Sequence, residues 1–268
     1  VGYTLSNIGR SFFLALTNGR FSKSPTHDST KRYYQDINRF SASFAVASDA
    51  AMLMLGGELK KKELLSARLG DVLSAMYLAS SVLKHFENQG REPSDIPLIE
   101  WSLHTLTYKA QEALHNFLTN FPNRIIAIIL RVIIFPIGRI YSPPSDNLIK
   151  KVSDIITKTG QARERLTEQT FKSKSHNNHL YTLENTLEMS ERFLPLEQKL
   201  NQAHKEGLIN SSYLGEQIIE AKEAEIISTN EASDLSKYYN EVLSILSVDD
   251  FHPKKMRNKP NKTKNNTN

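Results

Sequence analysis

Histidine is the residue type in this chain most able to ligate a metal or move a proton near neutral pH. There are eight: His27, His85, His104, His115, His176, His179, His204 and His252. Only His176 and His179 are close together. Their spacing would put both rings on one face of a helix, which is how a two-histidine metal site begins. They lie in a polar stretch with no carboxylate pattern beside them, and they are read as loop residues. His104 and His115 share a helix face but sit about three turns apart, too far to share a ligand. The chain has no cysteine, which excludes disulfides, thiolate metal sites and a thiol nucleophile. Glycine-rich phosphate loops, the zinc-protease His-Glu pattern and the hydrolase serine elbow are all missing from the sequence. No catalytic, cofactor-binding or metal-ligating residue is therefore assigned on this chain.

Charged residues within apolar segments are the next candidates. Arg68 and Asp71 are three apart in Ser66-Ala67-Arg68-Leu69-Gly70-Asp71, a spacing that lets them pair on one helix side. Asp49 sits in an alanine-rich helix. An interhelical polar network is the favoured reading for both sites. Contact with a ligand or a subunit is the alternative.

The elements that would position these residues are all helical. Gly2 to Leu16 reads as one helix, broken at Asn18-Gly19. Ser22 to Thr30 reads as a loop, with Asp28, Ser29 and Thr30 as N-cap candidates. Three long helices follow. Their apolar stripes are Ile37, Phe40, Phe44, Ala47, Ala51 and Met54; then Leu65, Leu69, Val72, Met76, Ala79, Leu83 and Phe86; then Ile99, Leu103, Leu106, Ala110, Ala113 and Phe117. Alternating steps of three and four residues keep each stripe on one face. Gly56-Gly57 and the run Asn88 to Pro97 connect them, with Ser94 or Asp95 to cap the third helix. Short connectors make antiparallel neighbours, hence a bundle. Gly70, inside the second helix, costs about 1 kcal/mol relative to alanine, and a close packing contact is the expected compensation.

Residues 123–140 are the most apolar segment. Ile125 to Ile137 spans about 20 Å as helix, short of a hydrocarbon core of roughly 30 Å, and Pro136 interrupts it. Two readings stay open. The segment is buried in the bundle, or it is a surface that touches a membrane, a partner subunit or another part of a larger enzyme. Arg124, Arg131 and Arg139 favour contact with something anionic. Beyond the turn Ser142 to Asp146, helices are expected at Asn147 to Thr157, Gln161 to Leu166, Tyr181 to Phe193, Leu196 to Lys205, Ser212 to Ile226 and Asn230 to Leu246, with a polar loop from Thr170 to His179.

The fold class is thus all-α: an amphipathic helical bundle with an additional smaller helical appendage. Residues 1–17 form the end of a preceding helical region. Residues 18–141 form the bundle core, 142–250 the appendage, and 251–268 a basic, disordered tail. The tail holds six Lys and Arg and no acid, so the net charge of +5 leaves the rest of the chain near −1. The high pI reflects a tail rather than a basic face, and nucleic-acid binding is not expected. The chain begins with Val1, which suggests a fragment or a processed chain. No secretory pattern opens it.

Seven segments then occur in a telling order. They are Tyr33-Tyr34-Gln35, Leu55-Gly56-Gly57, Ser66 to Asp71, Tyr77-Leu78-Ala79-Ser80, Asn120-Phe121-Pro122-Asn123-Arg124, Ile134-Phe135-Pro136 and Val248-Asp249-Asp250-Phe251. Together they resemble the C-terminal domain of the bacterial long-chain (FadE-type) acyl-CoA dehydrogenases, over about Val1 to Pro253. The resemblance implies a flavoprotein of fatty-acid β-oxidation. Its whole enzyme takes the proton α to the acyl-CoA thioester with a Glu base, passes the β-hydride to FAD, and yields trans-2-enoyl-CoA. An electron-transfer flavoprotein then accepts the electrons. The Val-Glu-Gly segment of the base and the His-Gly-Gly segment near the flavin are expected upstream of this domain and do not occur here. Gly56-Gly57 follows Leu55 rather than His, so no flavin contact is transferred to it, and Glu58, Glu63 and Glu100 have no motif support as bases.

The resemblance therefore implies an FAD-dependent enzyme whose C-terminal portion is inactive alone. Its expected partners are acyl-CoA and the electron-transfer flavoprotein through the whole enzyme, with homo-oligomerisation and peripheral membrane contact. The expected location is the cytoplasm, with peripheral attachment at the inner membrane. A non-enzymatic membrane-association or scaffold module is the alternative. In that case charging Ile128 or Ile133 would release the chain from anionic vesicles without unfolding it. A helical adaptor with a groove for a partner helix is a third reading.

Overall fold

A computed structural model describes residues 2–171 and 178–248 of the chain. His176, half of the one close histidine pair, and the basic tail lie outside the described residues. Those residues contain ten α-helices and no strand, which makes the protein all-α. The chain divides into two compact units, Val1–Thr157 and Lys158–Asn268.

In the first unit, α1 (Gly2–Leu16), α2 (Lys31–Leu55), α3 (Glu63–Asn88) and α4 (Ile96–Thr119) build the bundle. The apolar stripes predict its interior closely. Every stripe residue of α3, from Leu65 to Phe86, is buried, as are Ile99, Leu103, Ala110, Ala113 and Phe117 of α4. The first half of α3 shares a core with the second half of α4, where Leu65, Leu69 and Val72 meet Leu114 and Phe117. The second half of α3 meets the first half of α4 through Leu83, Phe86 and Leu103. The two helices are therefore antiparallel, as their connector requires. On α2, Phe40, Ala47 and Ala51 are buried. The stripe fades at its end, where Met54 is 45% exposed.

By length and composition alone, Lys31–Lys61 would pass as a membrane span. Yet α1, α3 and α4 all pack against α2, and its Gln35, Asp36, Arg39 and Ser43 are buried within the unit. Gly56 ends the helix with a positive φ of 48°, and a short 3-10 segment, Gly56–Lys61, leads to α3. Two cap expectations change in detail. Thr30 and Asp95 occupy the N-cap positions of α2 and α4, but neither side chain caps its helix. Asp28 instead accepts hydrogen bonds from the Thr30 amide and hydroxyl, at 2.9 and 2.6 Å.

The helix α5 (Arg124–Ile134) is 11 residues long, shorter than the 13-residue apolar run. Pro136 disfavours the helical conformation at Phe135, which ends it. Asn123 opens it by accepting from the amides of Ile125 and Ile126. The next helix, α6 (Asp146–Thr157), packs on α4. It therefore sits with the bundle, and the first unit extends past residue 141 to Thr157.

The second unit holds α7 (Gln161–Thr167), α8 (His179–Lys205), α9 (Leu214–Glu223) and α10 (Thr229–Leu246). Its core gathers Phe193, Leu200, Ile218, Leu235 and Tyr238. Where the sequence suggests two helices on either side of Pro195, the structure has one, α8, with Pro195 inside it. Proline removes one helical hydrogen bond. Buried Phe193 on one side and Leu200 on the other hold both halves in register. Ser228 and Glu231 form a capping box at the start of α10.

Two glycines of the first unit behave oppositely. The expected close contact at Gly70 does not exist, because a Cβ there would meet nothing within 4 Å. Gly19 has φ +71°, and a Cβ there would lie 2.6 Å from the Gln35 carbonyl oxygen. Gly70→Ala should therefore raise the stability of this unit by up to about 1 kcal/mol. Gly19→Ala should lower it by roughly 2–4 kcal/mol through a strained φ and a backbone clash. Urea unfolding followed by the fluorescence of Trp101, the chain's only tryptophan, checks both in the unit that contains it.

Candidate functional site

Several buried polar side chains of the first unit converge where α2 faces the chain returning from α5. Asp36 is 5% exposed and Arg39 2%. The Tyr141 hydroxyl donates to Asp36 Oδ1 at 2.8 Å. Arg32 pairs with the same carboxylate at 2.7 Å. The Arg39 guanidinium lies 5.2 Å from the centre of the Tyr141 ring and donates to Asn18 Oδ1 at 2.8 Å. Gln35 donates to the Arg20 carbonyl at 2.9 Å, so the turn after α1 is tied to α2 as well.

Across the bundle, α4 completes the arrangement. The Gln111 side chain, 1% exposed, donates to the Tyr141 carbonyl and accepts from the Tyr141 amide, both at 2.9 Å. One amide side chain thus satisfies both backbone groups of one residue, as a strand neighbour would. Phe40 packs on the Tyr141 ring at 5.0 Å between centroids.

Burial pushes the Asp36 carboxyl up to about 6, against the opposing pull of Arg32, the Tyr141 hydroxyl and Arg39. It also holds the Tyr141 hydroxyl well above its usual range. A perturbed carboxyl can mark an active site. Here every partner is structural, and what the cluster does is fix Tyr141 to the bundle. The sequence reading missed it. Gln35, Arg39 and Ser43 recur every four residues, a pattern that by itself reads as a solvated helix face.

The residues singled out from sequence are placed elsewhere. Asp49 accepts from Asn7 at 2.9 Å and links α2 to α1. Arg68 and Asp71 do not pair within salt-bridge distance. Asp71 is exposed, while Arg68 lines an open cleft of about 400 Å³ with Lys61, Lys62 and Pro122. A second cleft of about 400 Å³ adjoins it at Pro122 and is lined by Arg124, Ile128 and Arg131. His115 lies beside Arg139 and Arg131; burial first, and then these charges, hold its pKa below the usual value. His104 contacts the Tyr33 ring at 6.0 Å. His179 is exposed at the start of α8. No metal-holding group of three His, Cys, Asp or Glu occurs among the described residues.

The two readings of segment 123–140 divide α5 lengthwise. Leu130 and Ile134 are buried, and Ile126, Ala127 and Ile133 pack on the core behind them. Ile125, Ile128, Ile129 and Val132 face outward at 72, 64, 53 and 58% exposure. Ile128 is thus an outer-face residue, whereas Ile133 belongs to the packed side.

Taken together, the molecule is an all-helical protein of two compact units whose best-built polar cluster is a packing lock. Residues 1–251 match the family model described as "Acyl-CoA dehydrogenase, C-terminal, bacterial type". The chain belongs to that family. No solved structure matches it.

The family is FAD-dependent, so the described residues can be tested against that group. Gly56 and Gly57 are exposed at the end of α2 and form no cradle. A cleft of about 570 Å³ in the second unit is lined by Glu164, Glu184 and Glu188 with Arg163. Arg163 is engaged by Glu184 at 2.7 Å. That lining opposes a pyrophosphate. The residues described here do not fit a flavin, and no flavin chemistry is derived from them.

Asp36 has a consequence for stability. Its folded pKa lies above its ordinary 3.8, so the folded state holds the proton more tightly than the unfolded chain. Its contribution is greatest below about 4 and falls as the pH rises towards 6 and above. Relative to Asp36→Asn, the wild type should lose on the order of 2 kcal/mol between pH 4 and pH 7. Urea midpoints read by Trp101 fluorescence across that range check it. Parallel stability profiles would contradict it.

Proposed function

We propose that this chain is the C-terminal portion of an FAD-dependent acyl-CoA dehydrogenase of fatty-acid β-oxidation, one that converts acyl-CoA to trans-2-enoyl-CoA. The base and flavin-binding segments belong to another part of the same enzyme. The family match over residues 1–251 carries this reading. Two further features support a non-catalytic role for these residues. The buried carboxyl Asp36 is engaged by Arg32 and by the Tyr141 hydroxyl. Among the described residues, the clefts beside Arg68, Ile128 and Arg163 are open rather than enclosed apolar slots.

In that enzyme, the electrons of each turnover pass to an electron-transfer flavoprotein. The domain's own work is to cover or brace the catalytic body.

The test is a flavin spectrum and an acyl-CoA-dependent dye-reduction assay on two proteins, this chain and a longer chain that adds the upstream coding region. The longer chain should be yellow and should bleach with a long-chain acyl-CoA. This chain alone should be colourless and inactive. A longer chain that binds no flavin would overturn the reading.

A further inference from the structure

The outer face of α5 carries an exposed aliphatic stripe. Ile125, Ile128, Ile129 and Val132 form one outward stripe, each more than half exposed. They are purely aliphatic. On a helix, this spacing gives one continuous apolar strip about 10 Å long. Ile137 and Ile140 continue the apolar surface beyond the helix, at 46 and 39% exposure.

Basic residues border this strip. Arg124 and Arg131 line the cleft that also holds Ile128. Arg131 reaches across it to the Thr119 hydroxyl at 3.3 Å. Through Pro122 this cleft meets the next, where Lys61, Lys62 and Arg68 stand against one acid, Glu63. Arg124 and Arg131 therefore flank the stripe at Ile128, and three further cations with one acid line the adjoining cleft. Arg139 is not among them, since Glu112 neutralises it at 3.0 Å.

We propose that this face is a peripheral docking surface for a bilayer carrying anionic phospholipid, in which the aliphatic stripe of α5 enters the boundary of the acyl chains while the surrounding Arg and Lys engage the phosphates. An interfacial helix needs this pairing of an apolar strip with flanking cations on long stems. Charge complementarity selects the occupant. A two-fold contact with a second copy would bring each cluster of cations near its own image, which is unfavourable. A neutral helix from a partner would leave Arg124 and Arg131 without a counter-charge on the partner.

The burial pattern supplies a mechanical reason for the strip to persist. Leu130 and Ile134 root α5 in the core, so the outward isoleucines cannot turn inward to hide.

The inference stands apart from the dehydrogenase reading, because its test has no flavin readout. The intact chain, and the longer chain with the upstream region, are sedimented with vesicles of phosphatidylcholine alone or mixed with phosphatidylglycerol. Both proteins should pellet with the anionic vesicles, not with the neutral ones, and added salt should release them. Replacing both Arg124 and Arg131 with Gln should weaken binding about 30-fold, at about fivefold per basic side chain. Ile128→Glu should weaken it roughly tenfold or more, with Trp101 fluorescence and the melting temperature unchanged, since Ile128 is outside the core.

Failure to prefer anionic vesicles would overturn the proposal. So would full binding by the Arg and Ile variants, which would leave the six cations of residues 251–268 as the lipid contact. Binding by this chain but not by the longer one would assign the face to the rest of the enzyme. Self-association of the free protein that Ile128→Glu abolishes, without vesicle binding, would assign it to a second copy.

Discussion

The first unit depends on how firmly Tyr141 is held. Its hydroxyl is bound by a buried carboxylate of α2, its backbone by the Gln111 amide of α4, and its ring by Phe40 and Arg39. The contacts to α2 join parts of the sequence more than a hundred residues apart, and those to Gln111 span 30. A buried polar cluster of this kind contributes little net energy unless every member is satisfied. Here the members are satisfied, and what they supply is position. The chain leaving α5 has one place to go, and α5 itself is therefore held against the bundle along a single face.

That constraint explains why so apolar a helix keeps half its surface outside. An 11-residue helix of mostly isoleucine could bury either side. Asn123 sets where it begins and Pro136 where it stops, while Tyr141 fixes where the chain must go next. With both ends specified, Leu130, Ile134 and Phe135 fall inward. Ile125, Ile128 and Ile129 are left outside, on the same helix as Arg124 and Arg131. The apolar outer face is thus a consequence of anchoring.

The second unit is held together differently. It has its own small core around Phe193, Leu200, Leu235 and Tyr238, and its polar contacts are mostly local. The Ser228–Glu231 capping box and the Glu220 contacts to the amides of Asn210 and Ser211 close turns between neighbouring helices. Its continuous α8 shows the strength of such a core, which keeps a helix intact through a proline.

Much of this architecture was legible in the sequence. The three- and four-residue steps of α3 and α4 determined which side chains are interior, because a helix with one apolar face has one way to hide it. The ordered segments determined the family. The turn at Asn18-Gly19 and the end of α2 at Gly56 also followed from local chemistry, since left-handed conformations favour Asn and Gly. Other features were decided only by tertiary structure. Gln35, Asp36, Arg39 and Gln111 have the composition of a solvated face. Only the return of Tyr141 buries and pairs them. Gly70 looked like a packing contact, yet its face of α3 is open. Pro195 looked like a break, yet the core bridges it. Periodicity tells which residues share a face. Which face meets protein is set by contacts distant in sequence, and the two-sidedness of α5 was decided there.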